Sequence, residues 1–71
     1  MAKRLDMLVT MEGELDNATI YEEVKEYNFN TITVGNELWV HGTVLSGDPR
    51  IDKIIKICAK YGDYTVHMKL I

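Results

Sequence analysis

Residues 31–45 read TITVGNELWVHGTVL, and the remainder of the chain is arranged around them. Two alternating stretches flank the pair Gly35-Asn36, which reads as a tight hairpin turn between two strands. Counting alternate positions puts Ile32, Val34, Leu38, Val40 and Val44 on one face, with Gly42 lying among them. Thr31, Thr33, Trp39, His41, Thr43 and Leu45 fall on the other. An alternating hairpin with one apolar face is the expected centre of a small sheet.

Working outward, residues 4–11 (RLDMLVTM) alternate with Leu5, Met7, Val9 and Met11 on one side, so they predict a half-buried strand. Acidic residues 12–17 connect it to a helix predicted over about 18–28. Either Asp16 or Asn17 caps that helix, or Thr19 does, with Glu22 three residues on completing a capping box. Ile20, Tyr21, Val24 and Tyr27 recur at helical spacing, and Asn28 is a suitable stop.

Beyond the hairpin, Asp48-Pro49 marks a second helix start, because proline at the first helical position loses no hydrogen bond. Ile51, Ile54, Ile55, Cys58 and Ala59 form its apolar stripe; Arg50, Lys53, Lys56 and Lys60 form a basic outer flank, and Gly62 ends it. Residues 63–71 alternate again, with Tyr64, Val66, Met68 and Leu70 directed inward. The order β-α-β-β-α-β predicts an α+β fold, a four-stranded antiparallel sheet with two helices on one face. That is the ferredoxin-like arrangement, with spatial strand order 4-1-3-2.

Seventy-one residues imply one domain, near the lower limit for a self-sufficient core. The net charge of −3 and sequence pI near 5.2 argue against nucleic acid as the partner. A single cysteine, Cys58, leaves no internal disulfide and no zinc-type cluster, and its place in the apolar stripe predicts an inert thiol. Early charges and the lack of a long apolar run predict a cytosolic protein with no membrane partner. No nucleophile elbow, P-loop or GxGxxG occurs, so the expectation is a non-enzymatic module.

Two stretches are candidates for function. Glu12, Glu14, Asp16, Glu22 and Glu23 crowd carboxylates into one short segment, where a hard cation such as Ca²⁺ would relieve their repulsion. With Glu12 as loop position one, Glu14, Asp16 and Glu23 fall at positions three, five and twelve. This resembles the ligand spacing of an EF-hand, although Asn17 stands where that loop has glycine and a strand precedes it. The alternative reading is a solvated helix face whose acids suit the helix N-terminus or pair with the basic flank of the second helix.

The other candidate is the uncovered face of the sheet. There Trp39, His41, Leu8 and Leu45 predict an apolar patch for a protein partner or a homodimer. An Asp6/His41/His67 metal site on the same face is conceivable, as is plain polar surface.

Residues 32–70 are similar to the strand-glycine-strand, helix, strand pattern of BON domains, with Gly42 where that family's recurring glycine falls. The resemblance implies lipid or partner binding. The chain as a whole also resembles small archaeal α+β proteins, some of them thought to bind calcium.

Overall fold

The computed structural model describes residues 2–71. Strand β1 (Arg4–Glu12) leads into helix α1 (Asn17–Val24), which tightens into a 3-10 turn at Lys25–Tyr27. Strands β2 (Asn30–Val34) and β3 (Glu37–Leu45) form the hairpin, helix α2 (Pro49–Tyr61) crosses back, and β4 (Tyr64–Leu70) closes the order. All three strand pairings are antiparallel, and the sheet runs β2-β3-β1-β4, so β1 lies between β3 and β4.

Local chemistry accounts for the ends of the helices. Of the three candidate caps for α1, Asp16 is the one used: its carboxylate accepts the Thr19 N–H at 3.1 Å and the Thr19 hydroxyl at 2.7 Å. The helix predicted to reach 28 stays α-helical only to Val24. Asn28, left-handed at φ 61°, then turns the chain, and the Phe29 N–H bonds back to the Val24 carbonyl at 3.3 Å. In α2, Asp48 caps through the Arg50 N–H at 2.9 Å with Pro49 at the first position, as the sequence predicts.

The core lies on one side of the sheet. Met7, Val9 and Met11 of β1, Leu38, Val40 and Val44 of β3, Ile20 and Val24 of α1, and Ile54 and Cys58 of α2 are buried together. Phe29, unassigned by the pattern, joins them: its ring fills the space over Gly42, where a β-carbon would stand 2.9 Å from ring carbons. In α2, Ala59 proves exposed, and Ile57 packs against the core in its place.

The faces of β2 are the reverse of those expected. Ile32 and Val34 lie opposite Trp39 and Glu37, so they share the open face, while Thr31 and Thr33 lie opposite Val40 and Leu38 on the helix side. Directly opposed residues in an antiparallel pair share a face. A two-residue turn pairs position 34 with 37, so even positions of β2 match odd positions of β3.

In β4, Tyr64, Met68 and Leu70 do sit on the helix side, opposite Met11, Met7 and Leu5. They are nevertheless 40%, 42% and 58% exposed, and only Val66 packs against the core. The side is right, but the helices leave most of this edge strand uncovered. Arg50 also leaves the basic flank assigned to it. Its guanidinium donates to the Tyr27 carbonyl at 2.7 Å, the Thr43 carbonyl at 3.1 Å and the Asp48 carboxylate at 3.0 Å.

Candidate functional site

The structure separates the acids of the 12–23 segment. Glu12 ends β1 opposite Glu37, and Glu14 is exposed in the loop. Asp16 is occupied as the helix cap, and Glu22 pairs with Lys25 at 2.7 Å. Glu23 turns toward α2, where Lys60 approaches at 2.6 Å and the Tyr61 hydroxyl donates to its other oxygen. The carboxylate needed at loop position twelve is thus held by the second helix, the pairing that the alternative reading anticipates. Among the described residues, no group of three or more His, Cys, Asp or Glu side chains is gathered so that it could hold a metal ion.

These contacts make the fold sensitive to acid. Hydrogen bonds from Lys60 and then Tyr61 hold Glu23 below its ordinary value; Thr19 does so for Asp16, and Arg50 for Asp48. A carboxylate depressed in the folded state adds stability above its unfolded pKa, and this is lost as pH falls through the folded one. Thermal unfolding should therefore be level near neutrality and fall progressively below about pH 4. Glu23→Gln should flatten part of that fall, and an unchanged acid limb in the variant would remove Glu23 from the account. Cys58, by contrast, is buried, which pushes its thiol up to about 11 and leaves it protonated at neutral pH.

On the open face, strand register sets the rows. Ile32, Trp39, Thr10 and Thr65 lie side by side across the four strands; Asn30, His41, Leu8 and His67 form the adjacent row. Ile32 is 50% exposed beside Trp39, whose indole N–H donates to Glu37 at 3.1 Å. Ile32, Trp39 and Leu8, with His41, His67, Asp6 and Lys69, line an open depression of about 430 Å³.

Leu45 is on this face too, opposite Arg4, yet six residues along β3 from Trp39, about 20 Å away. It does not belong to the Trp39 patch; Ile32 takes the place expected of it. The two-residue turn by itself pairs Ile32 with Trp39, a signal already present in the sequence. His41 and His67 flank Leu8 from strands two spacings apart, about 10 Å, and Asp6 stands in the next row opposite Lys69; the three are not gathered as a metal-holding group among the described residues.

The ends of the face differ in charge. Glu12, Glu37 and Asp63 surround one end with Thr10 and Thr65, while Arg4 and Lys69 mark the other, where Asp6 lies directly opposite Lys69. No helix among the described residues is long and apolar enough to cross a membrane. No protein-family model, curated protein sequence or solved structure matches the chain.

Proposed function

We propose that this chain is a non-enzymatic interaction module of ferredoxin-like topology that associates with a second copy of itself through the open sheet face. The observation that carries the reading is the juxtaposition of Ile32 on the edge strand β2 with Trp39 and Leu8 on the two central strands, on a face no helix covers. The charged ends supply the orientation. Two faces stacked with strands running in opposite directions place the acidic end of each over the basic end of the other.

Size sets the strength of this contact. Four strands by seven residues present about 440 Å² per copy, or about 900 Å² for the pair. That is below the usual range of stable interfaces, so the contact is weak and concentration-dependent. Trp39 is the reporter: its emission should shift to shorter wavelength between about 10 µM and about 1 mM protein. Ile32→Ser should abolish the shift while leaving the fold intact. Emission that stays constant over the whole range would sink the reading. Of the acids Glu12, Glu14 and Asp16, Asp16 serves as the cap of α1, while Glu12 ends β1 and Glu14 lies in the loop between them.

A further inference from the structure

We infer that the outer edge of β4 is a second self-association site, at which β4 of another copy pairs antiparallel to extend the sheet to eight strands. The hydrogen-bonding sides of the strands carry the argument. The Ser46 N–H donates to the Lys3 carbonyl and the Ile71 N–H to the Arg4 carbonyl. Backbone groups alternate sides along a strand, so odd residues of β1 bond to β3 and even residues bond to β4. By the same alternation the backbone groups of Thr65, His67 and Lys69 face β1, whereas those of Tyr64, Val66, Met68 and Leu70 face outward. No strand among the described residues pairs with them.

The other edge is protected where this one is not. Strand β2 has five residues, and the same alternation directs the N–H groups of Thr31 and Thr33 outward. Thr31 N–H is already taken by the Asn30 side chain at 2.9 Å, and the Asn17 amide reaches the Thr33 hydroxyl at 3.1 Å. Strand β4 has seven residues and no proline, and its one formal charge, Lys69, points to the open face. An edge strand with its outward backbone groups unpaired and an exposed apolar row beside them is a template for another strand.

The sequence of β4 matches itself. With a two-fold axis at His67, Val66 meets the partner subunit's Met68 and Tyr64 meets the partner subunit's Leu70. Apolar side chains thereby oppose apolar ones all along the helix side. Lys69 lies diagonal to the partner subunit's Asp63, within reach of an opposite charge. The four outward-facing residues on each copy give about eight backbone hydrogen bonds. The exposed side chains of Tyr64, Met68 and Leu70 are covered in the same step. Edge pairing leaves Trp39, two strands inward, untouched, so the two contacts can be read independently.

Amide hydrogen exchange at Val66 and Leu70, measured at about 10 µM and about 1 mM, tests the edge. Protection should rise at least about tenfold with concentration. Met68→Pro should remove that rise, because the lost N–H faces outward and makes no bond to β1. Met68→Lys, which places a charge in the apolar row, should do the same should the proline variant fail to fold. Trp39→Ser should leave the rise in place. Exchange at Val66 and Leu70 that is independent of concentration would overturn the proposal. So would a rise that survives Met68→Lys or vanishes in Trp39→Ser, the latter placing the contact on the open face.

Discussion

Phe29→Ala is expected to cost about 3–5 kcal/mol, the largest loss from any single truncation in this core. Phe29 is 3% exposed and its ring supplies the atoms nearest to Gly42, so removing it opens a void against the backbone of β3. A chain of this size has about 4–10 kcal/mol in total, so the variant should be at or near the edge of unfolding at room temperature.

The complementary change, Gly42→Ala, brings a β-carbon to 2.9 Å from the ring and should cost about 1–3 kcal/mol by overpacking. Because the two residues share one contact, their effects should not add. Gly42→Ala placed in a Phe29→Leu background should cost measurably less than in the parent, by more than about 0.5 kcal/mol. Urea unfolding followed by circular dichroism gives all four values, and strict additivity would show that the ring and the glycine are not packed on each other.

Arg50→Ala comes next, with an expected loss of about 2–3 kcal/mol. The guanidinium ties the 3-10 turn through Tyr27, strand β3 through Thr43 and its own helix cap through Asp48. Removing it leaves two carbonyls without their donor at the junction of three segments. For a domain this small the loss corresponds to a fall in Tm of about 10–20 °C. Lysine at this position should recover little, since a single ammonium cannot reproduce the planar fork that serves three acceptors. Lys53→Ala, on the exposed side of the same helix, should lie within about 0.5 kcal/mol of the parent. An Arg50→Ala variant as stable as Lys53→Ala would reduce the clamp to a surface contact.

Both predictions concern residues whose role the linear pattern conceals. Arg50 stands one position after a proline among lysines, and its spacing is that of a solvated flank. What distinguishes it is the arrival of Tyr27 and Thr43 from segments 23 and 7 residues away in sequence. Phe29 lies between a helix stop and a strand, outside either period, so no periodicity could place it. Glu23 and Asp16 were conspicuous as part of an acidic run. Their separate engagements, one with the second helix and one with the first helix's own N–H groups, depend on the direction in which the helix leaves its cap.

The elements themselves were legible because they follow from local covalent geometry. Alternation at 4–11, 37–45 and 63–71 marks three strands, and Asp48-Pro49 marks a helix start, before any long-range contact is considered. Tertiary structure decided which face each residue joins and whether anything covers it. A two-residue turn reverses the parity of β2 against β3, moving Ile32 and Val34 to the open face beside Trp39. Val66 packs against the core but Tyr64, Met68 and Leu70 stay exposed, so an inward-facing row becomes an apolar edge. Period belongs to the chain, whereas burial belongs to the packing of elements distant in sequence.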